Sequence, residues 1–333
     1  MATVMITGGS GLVGTALSHK LAEHGYDIII LTRNPQKAAQ KNNAPHGAGR
    51  SFKNIGNTYY ARWDFDSDAI DTEALQTADY IVHLAGEGVA DKRWTAKRKQ
   101  EIVDSRVKSS ERIAKALKEI PNKVKAVISA SAIGYYGPDK ADAKPFTETD
   151  RPADDFLAQT CVQWENAIQP VEALGKRLVK LRTGIALSNE GGAMREFKKP
   201  IRFGFATIFG NGKQVVSWIH IDDLCRMIIE SIENEQLSGV FNAVSPKPVT
   251  NKEFVTKLAH GMRGRFVIPI HIPAGLLRMF LGEMSVEILK SATVSSEKIT
   301  STGFQFLYPS IDAALLQLLN KYESQESGEY ANG

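Results

Sequence analysis

The chain opens on a short apolar run, Val4-Met5-Ile6, then a glycine-rich turn, then an amphipathic stretch from Leu12 to His24. A second apolar run, Ile28-Ile29-Ile30-Leu31, ends at Thr32-Arg33. Short continuous apolar runs separated by stretches of helical period predict buried parallel strands joined by crossover helices. The same reading predicts strands at 58–63, 80–84, 124–129 and 178–182. It places a long helix within 95–119 and another over roughly 156–174. From Gly191 the alternation breaks down: Gly204, Gly210 and Gly212 mark loops, 221–233 reads as helix, and 250–260 begins a mostly helical end. The predicted fold class is therefore α/β, a doubly wound parallel sheet of Rossmann type with a smaller, mostly helical C-terminal substrate domain. Residues 1–190, with later core segments from about 215–245, form the first unit, 191–320 the second, and 321–333 a polar flexible tail.

The first turn carries the chemistry. Thr7-Gly8-Gly9-Ser10-Gly11-Leu12-Val13-Gly14 joins strand to helix, as in a turn that holds a dinucleotide. Gly8 permits the tight turn, Gly11 lets backbone approach a pyrophosphate, and Gly14 lets the helix pack close to the strand. The phosphates then meet unpaired N–H groups at the helix N-terminus. At the end of the second strand, where an Asp or Glu would hold a ribose 2′-hydroxyl, stands Arg33, and no carboxylate lies between Ile28 and Lys37. A planar, permanently charged guanidinium suits a 2′-phosphate. The expected cofactor is NADP(H). Arg50 or Lys53, in the polar insert over 36–57, could reinforce that site or be solvated loop charges.

Composition narrows the class. With 333 residues and a net charge of +4 scattered along the chain, no nucleic-acid partner is implied. Cys161 and Cys225 have no metal or redox spacing and suit a reducing compartment. No uncharged apolar run approaches about 18 residues, so no membrane span is expected. A cytoplasmic location is the expectation, because the sequence enters a strand with no basic-then-apolar leader.

Four segments together resemble the extended short-chain dehydrogenase/reductases: the glycine turn, His83-Leu84-Ala85-Gly86-Glu87, Ser129-Ala130-Ser131-Ala132-Ile133-Gly134-Tyr135-Tyr136-Gly137 and Ser217-Trp218-Ile219-His220-Ile221-Asp222-Asp223. More narrowly, Arg93-Trp94-Thr95, Ser105-Arg106, Asp155-Phe156-Leu157-Ala158 and Trp164-Glu165 resemble the atypical branch labelled sugar-nucleotide epimerase family proteins. That branch carries a C-terminal domain of unknown function, resembled by Asn242-Ala243-Val244-Ser245-Pro246, Leu281-Gly282-Glu283-Met284 and Gly303-Phe304. The resemblance implies cofactor contacts from Gly8, Gly9, Ser10, Gly11, Leu12, Val13, Gly14, Thr32 and Arg33. It extends them to Leu84, Ala85, Gly86, Glu101, Arg106 and Ala186, with Asp64 near the adenine or capping its strand. Arg106 takes the place where many relatives keep an Asn beside the active site.

The resemblance also exposes two departures. Active members use a Tyr-x-x-x-Lys pair plus a Ser or Thr that orients the substrate. Ser131 matches the Ser, but Phe156 stands where the Tyr belongs, and Thr160 or Cys161 where the Lys belongs. Sugar-nucleotide relatives also clamp a pyrophosphate with an Arg shortly before the Ile-His-Ile-Asp-Asp segment. Here Val216 or Ser217 occupies that place, with Lys213 as a looser point charge nearby. Candidate replacement acids are Tyr135, Tyr136 and Glu87, which read equally as packing aromatics and as a carboxylate paired with Lys92 or Arg93. His220 reads as a structural hydrogen-bonding residue, Cys161 as core, and no metal-ligand constellation exists. Lys198, Lys199 and Arg202 are candidates to attract an anionic substrate, or simply solvated. Two functions stay open: an NADP(H)-dependent epimerase-like oxidoreductase acting on a small polar or sugar-like molecule, and a non-catalytic NADPH-sensing protein. The partner is a small-molecule substrate in the first case, and a homodimer is compatible with either.

Overall fold

The structure is a computed structural model that describes residues 1–38, 58–63, 70–140, 144–264 and 266–330, with side chains to 320. Asp64, Arg50 and Lys53 lie outside the described residues. In chain order the strands are β1 (Thr3–Thr7), β2 (Asp27–Thr32), β3 (Thr58–Arg62), β4 (Tyr80–His83), β5 (Ala126–Ala132) and β6 (Arg177–Thr183). The later ones are β7 (Ile185–Leu187), β8 (Phe205–Phe209), β9 (Val215–Val216), β10 (Trp218–His220), β11 (Gly239–Ala243), β12 (Val249–Thr250) and β13 (Ile268–Ile272). Seven of them make one parallel sheet in the order β11-β6-β5-β4-β1-β2-β3. The order reverses between β1 and β4, which opens a crevice at their carboxyl ends.

Both sheet faces are buried, which is why the strands read as continuous apolar runs. Val4, Ile6, Ile28 and Ile30 face the Leu12–Glu23 and Ile221–Glu233 helices. Met5, Ile29, Leu31 and Ile81 face the other way, against Ile113 and Leu117 of the Ala96–Glu119 helix and Ile168 at the end of the Phe156–Ile168 helix. Adjacent strand residues therefore serve opposite cores.

The predicted elements appear with small shifts in their ends. The helix expected over 156–174 divides into Phe156–Ile168 and Pro170–Ala173, because Pro170 cannot donate to a continuous helix. β7 pairs with β10 within segments of the first unit and β9 with β12 bridges the two, whereas β8 with β13 lies inside the smaller, mostly helical unit. Its own core gathers Met194, Ile201, Ile208, Trp218, Phe254 and Leu315. The Ile311–Tyr330 helix runs on into the stretch read as a tail. No helix among the described residues is long and apolar enough to cross a membrane.

Candidate functional site

A cleft of about 260 Å³ opens at the switch point, lined by Gly8, Gly11, Leu12, Leu84, Gly86 and Ser131 among others. Its floor is the glycine turn. Gly8 has φ +69°, and a Cβ there would stand 2.8 Å from the Leu84 carbonyl carbon and oxygen. A methyl on Gly14 would run into the Gly8 carbonyl oxygen, and one on Gly9 would stand 2.7 Å from the Ile30 side chain. These glycines let helix, turn and both neighbouring strands meet. The Leu12–Glu23 helix has Gly11 at its N-cap and no side-chain cap. Its first bonded amide is Thr15, donating to the Gly11 carbonyl, so the amides of Leu12, Val13 and Gly14 keep their hydrogens free at the positive end of the helix. That is an anion-binding geometry. At the far end of β2, Arg33 is exposed and takes no ion-pair or hydrogen-bond partner among the described residues. Thr32 Oγ1 accepts from the Asn34 amide at 3.5 Å.

The opposite wall is Leu84-Ala85-Gly86. Thr7 Oγ1 accepts from both the Leu84 and Ala85 amides at 3.2 Å and donates to His83 Nδ1 at 2.7 Å. His83 Nε2 then donates toward Ser110 and Ser109 of the Ala96–Glu119 helix, at 3.1 and 3.2 Å. Complete burial, with the Arg106 charge nearby, pushes the His83 pKa down to about 3, so the ring is neutral. Arg106 lies against Gly86, which has no Cβ to crowd it, with its guanidinium 5.1 Å from the Trp164 ring centre. Burial lowers its pKa from the usual arginine value. Its Nη1 donates to the Ile102 carbonyl at 3.0 Å and to Ser105 Oγ at 3.4 Å.

Glu101 and Arg106 do not pair with one another. Glu101 accepts from Arg98 Nη1 at 3.0 Å, and the same nitrogen reaches Glu87 at 3.2 Å. The carboxylate of Glu87 thus pairs with Arg98 rather than Lys92 or Arg93, and its side chain is 51% exposed. Ala186 sits on β7, paired with Ile219, with its carbonyl facing Gly192.

Ser131, on the wall of the cleft, anchors a buried polar chain. Its Oγ donates to Glu165 Oε1 at 2.7 Å. Arg182 holds the same carboxylate with two bonds, Nε to Oε1 at 2.8 Å and Nη2 to Oε2 at 2.9 Å. Nη1 of Arg182 donates to the Tyr136 hydroxyl at 2.9 Å, which donates onward to Asn242 Oδ1 at 2.6 Å. Burial pushes the Tyr136 phenol up to about 12, and its hydroxyl is fully engaged. Tyr135 differs: the Arg182 guanidinium lies 3.4 Å from its ring centre, and its hydroxyl has no hydrogen-bond partner among the described residues.

Phe156 packs edge-on against Trp94 with centroids 5.0 Å apart, and Thr160 Oγ1 bonds back to the Phe156 carbonyl. Neither position supplies a proton. Burial raises the Cys161 thiol to about 12, which fits a core residue. His220 caps the Ile221–Glu233 helix and bonds Gln317. Ser217, at the place of the relatives' Arg, donates to the Ala292 carbonyl and accepts from the Val294 amide. Sequence reading missed what lies beyond this contact. The segment around 282–294 ties the second unit to the first through a Lys99–Glu283 ion pair, Lys290 to Asp155 at 3.3 Å, and Thr293 to Asp139. It also missed the pairing of Glu165 with Arg182: Glu165 entered only within the Trp164-Glu165 resemblance, and Arg182 only as the end of its strand.

Residues 4–159 match the NAD dependent epimerase/dehydratase family, and residues 272–318 match the domain of unknown function DUF1731. The epimerase family protein SAR0825 of Staphylococcus aureus (strain MRSA252) is 34% identical over 96% of this chain and 100% of its own. Epimerase family protein YfhF of Bacillus subtilis (strain 168) is 34% identical over 95% of this chain and 97% of its own. Among solved structures, human epimerase family protein SDR39U1 (isoform 2) with NADPH superposes with a TM-score of 0.80 at 28% identity, covering 96% of this chain and 99% of that one. The nucleoside-diphosphate sugar epimerase of Corynebacterium glutamicum superposes at 0.71 with 31% identity, covering 99% of this chain and 61% of that one. With its parallel sheet, glycine turn and C-terminal domain, the chain belongs to the nicotinamide-dinucleotide-dependent epimerase/dehydratase family, among the epimerase family proteins.

Proposed function

We propose that this protein binds NADP(H) and acts as an epimerase-like oxidoreductase on a small polar or sugar-like substrate. The observation that carries the reading is one continuous cleft, from the free amides of the glycine turn to the Ser131 hydroxyl. In this reading the turn from Gly8 to Gly14, through Gly9, Ser10, Gly11, Leu12 and Val13, takes the pyrophosphate. Thr32 and Arg33, which has no partner among the described residues, take a 2′-phosphate, which favours NADP(H) over NAD(H). Leu84, Ala85 and Gly86 form the opposite wall, with Arg106 and Ala186 toward the nicotinamide end and Glu101 bracing Arg98. That human SDR39U1 was solved with NADPH supports the same choice.

A bound nicotinamide supplies hydride transfer. The chain's own residues then orient the substrate and move its proton. Ser131 fixes the reacting oxygen, and Tyr135, whose hydroxyl has no hydrogen-bond partner among the described residues, exchanges the proton at that oxygen. Tyr136 and Glu87 are left out of this role by their partners, Asn242 with Arg182 and Arg98. A second reading, a non-catalytic NADPH sensor, draws on Phe156 and Thr160 standing where the usual Tyr and Lys would be.

Nicotinamide absorbance followed across alcohol and carbonyl panels separates the two. Turnover that disappears in Ser131→Ala, with NADPH affinity unchanged, supports the enzyme. Absence of turnover, with cofactor-dependent protease protection, supports the sensor. Arg33→Ala should weaken NADPH about 10- to 100-fold and leave NADH unchanged, the loss of one charged phosphate contact. Equal effects on both cofactors would overturn the NADP(H) preference.

A further inference from the structure

The hydrogen-bond polarity of Ser131 is fixed from behind the cleft. Glu165 stands on the Phe156–Ile168 helix and Arg182 on β6, 17 residues apart in sequence, and their side chains are only 8% and 4% exposed. The two parallel bonds from Nε and Nη2 are those of an ionised carboxylate gripped by a guanidinium. An ionised carboxylate has no hydrogen to give. The 2.7 Å contact with Ser131 therefore uses the serine's only hydrogen, and Ser131 is the donor. Ser131 Oγ is 3% exposed at residue level, lines the cleft, and receives no hydrogen bond from any described residue. The hydrogen-bonding capacity left to it is a pair of lone pairs, which can only accept.

We infer that Glu165, held by Arg182, is a specificity-determining positioning residue: it makes Ser131 a hydrogen-bond acceptor, so the cleft takes its substrate's reacting group as a donor, a hydroxyl rather than a carbonyl. The inference deepens the proposed function and rests on Ser131 lying at its reacting end. To donate to a carbonyl, Ser131 would have to abandon a buried anion, and an unmet buried charged acceptor is more costly than a neutral one. A substrate alcohol meets no such penalty. Its O–H points at Ser131 and its carbon is left facing the cofactor wall. The carbonyl partner of the same redox pair finds no donor in Ser131 and has only the Tyr135 hydroxyl to turn to, so Ser131 tilts the site toward the alcohol by hydrogen-bond direction.

Neutron diffraction from perdeuterated, NADPH-loaded protein tests the polarity directly. The deuteron on Ser131 should lie between its Oγ and Glu165, with any water in the cleft donating to Oγ. A deuteron pointing into the cleft, or one bound to Glu165, overturns the inference. In the double variant Glu165→Met/Arg182→Met apolar side chains replace the buried pair, so Ser131 loses its acceptor and its hydrogen is free for the cleft. For that variant, NMR titration of cofactor-loaded protein with glycerol and with dihydroxyacetone reads the consequence. The ketone-to-alcohol affinity ratio should rise at least tenfold over the unsubstituted protein, and an unchanged ratio overturns the inference. A purely structural role for Glu165 would weaken both ligands alike. Should the protein prove to be a sensor without turnover, the Ser131 deuteron would still point to Glu165, so the two readings fail separately.

Discussion

The two ends of the cleft are built on opposite principles. At the glycine turn, the amides of Leu12, Val13 and Gly14 and the guanidinium of Arg33 have no partners among the described residues. At the Ser131 end, Glu165, Arg182, Tyr136 and Asn242 satisfy one another in a closed chain. The first end is made of local backbone and waits for an anion to complete it. The second is complete before any ligand arrives. The difference shows how the usual Tyr and Lys positions can hold Phe156 and Thr160 without a fold defect: the buried ion pair and aromatic packing carry that part of the core. It also predicts that damage to the closed end shows first as lost stability, and damage to the open end as lost affinity.

The largest expected effect is at the closed end. Arg182→Met should strand the Glu165 charge and cost about 3–5 kcal/mol of stability, read by urea denaturation. A loss below about 1 kcal/mol would mean the pair is solvated and the contrast is wrong. Next comes the open end. Gly14→Ala places a methyl on the Gly8 carbonyl and should weaken NADPH at least about 100-fold, near 3 kcal/mol, by fluorescence titration. Circular dichroism should remain that of the folded protein; full affinity would show that the turn yields.

The smallest effect lies between the two ends, at His83. Its folded pKa, about 3, lies below the unfolded value near 6.5, so the unfolded chain binds the extra proton as pH falls. Stability is thus intact above 6.5 and declines below it, by up to about 1.4 kcal/mol per pH unit from this one group. His83→Gln should flatten the slope of Tm between pH 6.5 and 4.5, and an unaltered slope would assign the acid sensitivity to other groups.

Much of the first end was legible without coordinates. Glycine spacing, the flanking apolar runs and Arg33 are all local in the chain, and local patterns are what periodicity reads. The Ile221–Glu233 helix likewise emerged with its bounds, because its apolar positions repeat at helical period. The partners of Glu87 and Glu101 were not legible. Arg98 reaches both, one from its own helix and one from the β4 loop, and the helix phase that selects it over Lys92 or Arg93 is set by packing. Two of the small sheets, β7 with β10 and β9 with β12, escaped for a related reason, since strands of two or three residues carry too few positions to show a period.

What the sequence alone determined is the doubly wound sheet and a phosphate-binding turn at its first crossover, because steric freedom at glycine and the burial of continuous apolar runs act over neighbouring residues. Only the tertiary structure decided what Ser131 faces. Its Glu165 partner is 34 residues away, Arg182 arrives on β6, and Asn242 lies 106 residues beyond Tyr136. Which hydrogen a buried hydroxyl gives away depends on the groups that folding places behind it, and no spacing in the chain records that.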